Sequence, residues 1–417
     1  MKQRVILLSV MFVLLLFTAP VLAVGGGITI EINGSVYTPE VAPVLENGIT
    51  YVDLASIEKI IGADIEAKGN SLTIVKNQNV LKLQVPQNSA YLNDNEIKMP
   101  AAPFIKDGEI MVPLRFTLEN LGAQIGWDQT KKTVTVAYKE TRNGMSADEL
   151  LVKSSEKLMQ FNTYKMSGDI KTDMEMLVTG EETASVNIGM NIKAESFYQK
   201  EPLVIYTKQK ISMSGQGIPA ELQDMTAESV LKEDVYYTKL PNQGWGRMDL
   251  SEFNFKELIE QYNTQDPATM LKMMKDFGIN STFGNDITIG GKEYWVIIST
   301  LDKAKFAQEY QKMLEQLAPG MPGVDVNQLM NKTDFNIYYY KTYINKQSLL
   351  SEMIEMKTDM RLNLKNSEPT DKSAENIKMN ASIEYNIKMS DFDKPFTLPD
   401  LSSAIDMDEI LSKTDVN

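Results

Sequence analysis

Residues 164–178 decide the fold, and they read YKMSGDIKTDMEMLV. Apolar and polar side chains alternate along this stretch with a period of two. Met166, Ile170 and Met174 fall on one side of an extended chain, and Lys171 and Asp173 fall on the other. A strand that alternates in this way has one face in water and one face against apolar groups. The stretch therefore predicts a long strand of an antiparallel sheet.

Residues 186–193, 354–365 and 377–389 alternate in the same way, and the polar residues 366–376 predict a hairpin between the last two. Strands of ~11–13 residues span roughly 35–45 Å. A sheet built from them must twist and curl, and its apolar face needs a cover. Helical patterns at 255–262, 268–277 and 301–317 predict that cover. The predicted fold class is α+β, with a large curled antiparallel sheet (a half-barrel) and covering helices at residues 148–400.

Methionine and isoleucine dominate the predicted apolar face. Methionine is unbranched and polarizable, and it suits pockets that accept varied apolar ligands. The simpler interpretation is that these methionines fill an irregular core beneath the helices. The first interpretation predicts a ligand-binding face formed by Met166, Ile170, Met174, Met190, Ile354, Met356, Met360, Leu362, Met379, Ile383 and Tyr385.

Residues 28–138 contain a repeat with a step of sixty residues. NGITYVDL at 47–54 aligns with DGEIMVPL at 107–114, and IGADI at 61–65 aligns with LGAQI at 121–125. Each copy predicts a hairpin (the first turning at Asn33-Gly34), a second Asn-Gly or Asp-Gly turn, a helix ended by a glycine and a closing strand. Neither copy is large enough to bury a core alone. We therefore expect two units, each a helix on a small antiparallel sheet, to pack as one domain.

The second copy contains MVPLR at 111–115, LGAQIGWD at 121–128 and TVTV at 133–136. These motifs resemble the repeat of copper amine oxidase N-terminal (stalk) domains. The first copy departs from the pattern, with Asp53 in place of the proline, Ala55 in place of the arginine and Ala67 in place of the tryptophan. The resemblance implies a surface-associated accessory module without a copper site.

Arg115 and Trp127 are the candidate contact residues of this domain. In one interpretation Trp127 stacks on a cell-wall sugar while Arg115 holds a carboxylate. In the interpretation we favour, Trp127 fills the core and Arg115 pairs with Asp128 or Glu119, because a lone tryptophan in an alternating strand usually packs inside.

Residues 139–147 form a predicted polar linker. At its end a capping box, with Ser146 as N-cap and Glu149 three residues later, predicts the start of a helix. The region from 148 to 400 resembles the lipoprotein-carrier superfamily, which includes LolA-like and LppX-like envelope proteins. The resemblance rests on the helix-to-strand stretch 148–178, on YYTKL at 236–240 before Trp245, and on YINK at 343–346. It implies that acyl chains or lipidated partners bind in the concave face of the sheet.

Residues 1–23 predict a signal peptide. Lys2 and Arg4 precede an apolar run at 5–17, Pro20 interrupts it, and compact residues occupy the cleavage positions 21–23. An uncleaved anchor is the alternative. No later segment is long and apolar enough to predict a spanning helix. The expected location is extracytoplasmic, either secreted or at the cell surface.

The composition narrows the function further. The chain has no histidine and no cysteine, so the usual ligands of zinc, copper and non-haem iron are missing. The commonest general base and the thiol nucleophile are missing too. A net charge of −14 disfavours nucleic acid as a partner. We predict no catalytic residue, no metal site and no cofactor, and we expect the acidic tail at 401–417 to be a solvated end rather than a calcium site.

These observations predict a secreted, non-catalytic cell-envelope accessory protein that binds or carries an apolar ligand or a lipidated partner. The alternative is a structural, cell-wall-associated scaffold without a small-molecule ligand. A hydrolase acting through carboxylates is a third hypothesis, and it requires two close, buried carboxylates in one pocket.

Overall fold

A computed structural model describes residues 28–179, 183–241, 243–251, 266–317, 333–364 and 376–407. Within these ranges, the side chains of 178–179, 183–184, 313–317, 333–339, 360, 362–364 and 376–377 fall outside the description. The predicted signal peptide and the helix predicted at 255–262 also lie outside the described residues. None of the described helices has the length and apolar character needed to cross a membrane.

The N-terminal region, called the repeat domain below, contains short strands and two helices. Its elements are β1 (Thr29–Ile32), β2 (Ser35–Tyr37), β3 (Val44–Glu46), β4 (Ile49–Asp53), α1 (Leu54–Ile61), β5 (Asp64–Lys68), β6 (Ser71–Lys76), β7 (Asn79–Gln84), β8 (Ser89–Leu92), β9 (Asn95–Lys98), β10 (Phe104–Lys106), β11 (Glu109–Pro113), α2 (Leu114–Asn120), β12 (Gln124–Asp128) and β13 (Thr133–Ala137).

The two copies of the repeat exchange strands. One sheet has the order β10-β11-β4-β3 and joins the copies through antiparallel pairing of β4 with β11. Val52 pairs with Val112, its own counterpart sixty residues later, so the copies are related by a local twofold axis through this pair. A second sheet, β12-β13-β1-β2, combines the opening hairpin of copy one with the closing hairpin of copy two. The third sheet has the order β5-β6-β7-β8-β9.

The predicted turns are confirmed. Asn33-Gly34, Asn47-Gly48 and Asp107-Gly108 all have positive φ, the left-handed conformation that tight hairpins require. Gly62 ends α1 in the same conformation, with φ of 68°. The prediction that the copies pack together is also confirmed, because one hydrophobic core contains residues of both. The sheets are not wholly antiparallel, since β1 pairs with β13 in parallel.

The C-terminal region, called the sheet domain below, is dominated by long strands. Its elements are α3 (Ala147–Leu158), β14 (Thr163–Thr179), β15 (Thr183–Gln199), β16 (Val204–Gly215), α4 (Ala220–Gln223), β17 (Asp224–Lys232), β18 (Val235–Leu240), β19 (Gly244–Asp249), α5 (Pro267–Asp276), β20 (Ile279–Phe283), β21 (Ile287–Ile289), β22 (Lys292–Leu301), α6 (Lys303–Leu317), β23 (Thr333–Asn345), β24 (Ser351–Leu364), β25 (Asn376–Ser390) and β26 (Ile405–Asp406).

These strands form one large curled sheet, which confirms the predicted fold class. Its order is β20-β22-β23-β24-β25-β14-β15-β16-β17-β18-β19-β26, with β21 beside β22. The pairings are antiparallel apart from the short parallel contact of β26 with β19. The stretch 164–178 lies at the centre, in β14, between β15 and β25. The predicted hairpin of β24 and β25 is confirmed by their continuous antiparallel register.

The predicted helices within the described ranges are confirmed. The capping box of Ser146 and Glu149 starts α3, with Ser146 accepting a hydrogen bond from the backbone of Glu149. Asp266 caps α5 and precedes Pro267, a favoured first residue of a helix. The pattern predicted at 301–317 forms α6, which begins at Lys303.

Both segments that flank the sheet domain are more ordered than the sequence predicts. In the predicted linker 139–147, Arg142 and Met145 pair across a tight turn at Asn143-Gly144. In the predicted acidic tail 401–417, residues 405–406 pair with β19 and Met407 is buried. Apolar side chains within this acidic segment explain its packing, and residues 408–417 lie outside the description.

We expect the shared core to hold both copies of the repeat together. Replacing fully buried Ile60 with alanine should lower the free energy of unfolding by about 2–5 kcal/mol, because it removes packed methyl groups from that core. The matched control is Ile105→Ala, since Ile105 is 60% exposed. Urea unfolding followed by circular dichroism measures both changes. Equal effects of the two variants would contradict a shared core centred on Ile60.

Candidate functional site

The strand register places the predicted ligand-binding residues on one face of the large sheet. Residues paired across neighbouring strands lie on the same face, and Ile170 pairs with both Ile192 and Tyr385. We call the face that carries Ile170 the apolar face and the other the opposite face. A single row of paired residues crosses the apolar face through Tyr340, Met356, Tyr385, Ile170, Ile192, Ile211 and Met225.

Five of the predicted residues meet in one cluster. Buried Ile383 and Tyr385 on β25 pack with Ile170 and Met174 on β14 and with Met356 on β24. Met166, Met190, Ile354 and Met379 lie on the same face at other rows, by their pairing with Met389, Thr172, Ile387 and Met176. Met360 and Leu362 have their backbones in β24, but their side chains lie outside the described residues.

The apolar face excludes charge. In β14 to β19, in β25, and in β24 from Met353 onward, every Asp, Glu, Lys and Arg falls at a register position of the opposite face. This segregation is notable because charged residues make up 24% of the chain. The polar groups that do occur on the apolar face are uncharged, as at Thr172, Gln209 and Thr238. The face therefore offers contacts that suit hydrocarbon.

The apolar face is covered to different extents along the sheet. Ile383 and Tyr385 are buried, at 6% and 7% exposure. Met166, Ile170 and Met174 are half-buried, as are Met190, Ile354, Met356 and Met379. The face is thus neither fully exposed nor packed to the density of a core.

Helix α3 covers the apolar face at the β20–β22 end. Ala147 and Leu150 of the helix pack on Phe283, Trp295 and Ile297, which form a buried cluster with Ile344. Helix α5 packs in turn against α3 and β20. Farther out, Phe306 of α6 stacks on Tyr310 and contacts Phe277. The helix that packs directly on the face is thus α3, and two of the predicted covering helices, α5 and α6, lie beside it at the same end of the sheet.

Asp148, in the first turn of α3, has its carboxylate between the helix and β20. Burial raises the pKa of Asp148, and a hydrogen bond with the Ser281 side chain opposes this effect. Among the described residues, its Oδ1 atom is buried without a hydrogen-bond partner. Ser281 lies 3.0 Å from Ser299, and Ser299 pairs with Tyr340 of the apolar row. A small polar cluster thus lies between the helix and the face that it covers.

Sequence reasoning missed the aromatic end of the apolar face. Tyr164 stacks on Tyr198 with ring centroids 4.7 Å apart, and Phe392 packs beside Tyr164. Burial raises the pKa of Tyr164, so its hydroxyl stays protonated. The signal was present, because Tyr164 and Tyr198 continue the alternation of β14 and β15. Their pairing depends on the register, which the sequence did not fix.

The opposite face has a different character in different places. Near its β16–β19 end it is apolar, and Phe396, Leu398 and Leu401 of the C-terminal segment cover Tyr206 and Trp245 there. Near the other ends of β14 and β15 it forms a depression of about 760 Å³. Residues of the opposite face line this depression, among them Asp173, Glu175, Asn187, Ser214 and Arg361, together with Met174, Ile188 and Ala381, whose register positions belong to the apolar face. This depression therefore borders the apolar cluster at Met174 and Ala381.

In the repeat domain, Trp127 is on the surface. It is 41% exposed, because β12 forms the edge of its sheet and leaves one side of the ring uncovered. The expectation that Trp127 fills the core is wrong. The predicted ion pair of Arg115 with Glu119 is confirmed at 3.2 Å, and Arg115 also donates to the Ile125 carbonyl at 2.8 Å.

A metal centre finds no support in the described part of the chain. Within it, no group of three or more Asp or Glu side chains is arranged to hold an ion. Asp400, one of the acidic residues of the C-terminal segment, accepts a hydrogen bond from the backbone of Ser402.

Two family profiles match the chain. Residues 146–398, more than half of it, match a family of unknown function, DUF6612. Residues 30–136 match the copper amine oxidase N-terminal domain, which confirms the resemblance read from the repeat. A search of curated proteins found no match.

Solved structures give weaker similarities. A LolA superfamily protein from Nitrosomonas europaea is 10% identical and covers 60% of this chain and 96% of its own, with a TM-score of 0.16. A DUF1329 family protein from Desulfovibrio piger is 11% identical and covers 61% and 95%, with a TM-score of 0.21. TM-scores this low carry no argument about function.

Because the pKa of Asp148 is raised, the free energy of unfolding should depend on pH. The folded protein binds this proton more tightly than the unfolded chain, so stability falls as the pH rises from 3.8 through the folded pKa. Asp148→Asn removes the charge. It should be more stable than the wild type at pH 7, and the difference should shrink as the pH falls toward 3.8.

Glu149 provides a control, because its pKa is shifted in the opposite direction to that of Asp148. Hydrogen bonds from Ser146 lower the pKa of Glu149, so Glu149→Gln should destabilise at pH 7 and lose this effect at acidic pH. Urea midpoints across the pH range measure both variants. An Asp148→Asn variant that is less stable than the wild type at neutral pH would refute a desolvated carboxylate under α3.

Proposed function

This chain belongs to the family of unknown function DUF6612, and we propose that it is an exported, non-catalytic protein whose apolar face binds the acyl chains of a lipid or lipidated partner. The observation that carries this proposal is the complete exclusion of charge from the apolar face across β14 to β19 and β25. The proposed location is extracytoplasmic, on the basis of the signal-like sequence at 1–23.

The dimensions of the apolar face support an acyl-chain ligand. From Tyr164 to Met176, β14 extends for roughly 40 Å at ~3.3 Å per residue. One leaflet of hydrocarbon in a bilayer is only ~15 Å thick. A lipid chain therefore fits along the strands, and each methylene removed from water contributes about 0.8 kcal/mol.

The degree of burial supports the same ligand class. The methionines of this face keep part of their surface accessible, so a guest has atoms to contact. Their unbranched side chains adapt to chains of different length and saturation. A charged headgroup finds no counter-ion at the apolar-face positions of β14 to β19 and β25, so we place it beyond the rows of methionine.

A charge introduced on the apolar face should weaken lipid binding. We expect Met174→Lys to weaken the binding of a fluorescent fatty-acid probe by roughly tenfold or more, because the ammonium would lie among the apolar side chains of its cluster. The matched control is Asp173→Lys, which places the same side chain on the opposite face one residue away. Probe titration and native mass spectrometry of co-purified lipid provide the measurements.

Two outcomes would contradict these expectations. Wild-type protein that neither binds the probe nor carries lipid would refute the proposed function. Equal loss in both variants would show that the effect is not specific to the apolar face.

The exposure of Trp127 supports a second candidate function, attachment to the cell wall through the repeat domain. An indole ring on an edge strand presents a flat apolar surface of the kind that stacks on sugar rings. Arg115 lies next to this strand, tied to the Ile125 carbonyl. In this alternative the sheet domain has no small-molecule ligand and the chain is a scaffold.

Substitution of Trp127 tests this alternative. Trp127→Ala should reduce retention on purified peptidoglycan by about tenfold or more if the ring supplies the main contact. Tyr91→Ala is the control, since Tyr91 is a comparably exposed aromatic residue of the same domain at 44% exposure. Co-sedimentation measures retention. Unchanged retention of the Trp127 variant would exclude this surface.

A further inference from the structure

We propose that the first repeat copy is a docking element that locks the repeat domain and the sheet domain into one rigid body and holds α3 in place. The contact is formed by Gly62, Lys76, Glu140, Phe283 and Asn285, which we call the interdomain clamp. It joins the end of α1, the end of β6 and the segment after β13 to the last residue of β20 and the turn that follows it in the sheet domain.

Lys76 is the centre of the clamp. Its side chain is fully buried, and its Nζ donates to the Phe283 carbonyl oxygen at 2.6 Å. The same atom lies 2.8 Å from the carboxylate of Glu140, which is 11% exposed. Burial lowers the pKa of Lys76, and the Glu140 carboxylate opposes this shift. Phe283 belongs to the sheet domain, so the hydrogen bond from Lys76 crosses between the domains, while Glu140, in the segment after β13, keeps the buried ammonium paired.

Gly62 allows the two backbones to approach closely. It ends α1 with φ of 68°, and a Cβ atom placed on it would lie 2.1 Å from the Phe283 carbonyl oxygen. Gly122 is its counterpart sixty residues later, with φ of 102°, and a Cβ atom there would meet only a Tyr138 ring carbon at 3.8 Å. The positive φ favours glycine at both positions. Of the two, only Gly62 also lies so close to the sheet domain that a Cβ atom would not fit.

Asn285 adds specific hydrogen bonds at the edge of the clamp. Its Nδ2 donates to Asp64 Oδ2 at 2.8 Å and to the Val75 carbonyl at 3.0 Å. Its Oδ1 accepts from the backbone N–H of Asn77 at 2.7 Å. A separate ion pair joins Lys341 to Glu58 of α1 at 2.6 Å. The contact is therefore polar, directional and fixed at several points.

The positions used for docking differ between the repeat copies. Glu58 and Lys76 of copy one correspond to Leu118 and Val136 of copy two, which are both buried in the core of the repeat domain. Copy one thus has charged residues where copy two has core residues. This difference explains part of the divergence of copy one from the family motif.

The clamp reaches α3 through Phe283. Its carbonyl accepts from Lys76, while its side chain, 1% exposed, packs under α3 with Ala147 and Leu150. The guanidinium of Arg142 lies 4.9 Å from the centre of the same ring. Loss of docking should therefore loosen the helix that covers one end of the apolar face. This inference holds whether or not the face binds a lipid.

Distance measurement between the domains tests the clamp directly. The chain contains no cysteine, so Glu96→Cys and Lys193→Cys provide two unique sites for spin labels on exposed residues of the two domains. Pulsed electron paramagnetic resonance should give one narrow distance distribution. In this background Gly62→Ala should broaden it, while Gly122→Ala should leave it narrow. Hydrogen exchange of the α3 amides should rise by about tenfold or more in Gly62→Ala only.

A second pair of variants keeps the test decisive if Gly62→Ala does not fold. Lys76→Val introduces the residue found sixty positions later, and Lys82→Val replaces a half-exposed lysine of the same domain as a control. Lys76→Val should broaden the distance distribution and accelerate exchange in α3. A narrow distribution in a folded Lys76→Val or Gly62→Ala protein would overturn the proposal, as would equal broadening in Gly122→Ala.

Discussion

The separation of charge from apolar surface across the large sheet is the constraint on which the structure depends. Because side chains alternate strictly along each strand, a register shift of one residue would bring lysines and carboxylates onto the apolar face. The native register of β14 with β15 and β25 is the one that keeps Ile170 beside Ile192 and Tyr385. The same pattern that fixes the register therefore creates the candidate site.

The two faces of the sheet are covered by different parts of the chain. Helix α3 covers the apolar face at the β20–β22 end, and the C-terminal segment covers Tyr206 and Trp245 on the opposite face at the β16–β19 end. Each cover therefore buries the apolar side chains of one face at one end of the sheet. Between these covers, the methionine-rich rows of β14, β15 and β24 remain half-buried.

Local patterns predicted much of this architecture. The alternation in 164–178, the turns at Asn33-Gly34 and Asp107-Gly108, and the capping box of Ser146 and Glu149 depend on neighbouring residues, and all are confirmed. The repeat also predicted a shared core. Alternation alone placed Ile170, Met174, Met356, Ile383 and Tyr385 on the apolar sides of their strands, and the observed register brings them into one cluster.

Contacts between distant segments escaped prediction. The strand exchange between copies was hidden because their hairpins have similar sequences, so pairing within a copy and between copies looks alike. The exposure of Trp127 depends on β12 being an edge strand, which alternation does not reveal. The burial of Lys76 depends on a carbonyl oxygen at Phe283, far along the chain. A lysine in an alternating strand gives no sign that its charge will be enclosed.

The parallel pairing of β1 with β13 also governs when the repeat domain can form. Synthesis proceeds from the N-terminus, so Thr29 is made long before its partner Thr133. Until β13 emerges, the inner edge of the β1–β2 hairpin has unsatisfied backbone groups and an exposed apolar side. Copy one therefore cannot complete its fold without copy two. The nascent chain must stay protected from aggregation until the second copy is complete, and folding is delayed by its most distant contact.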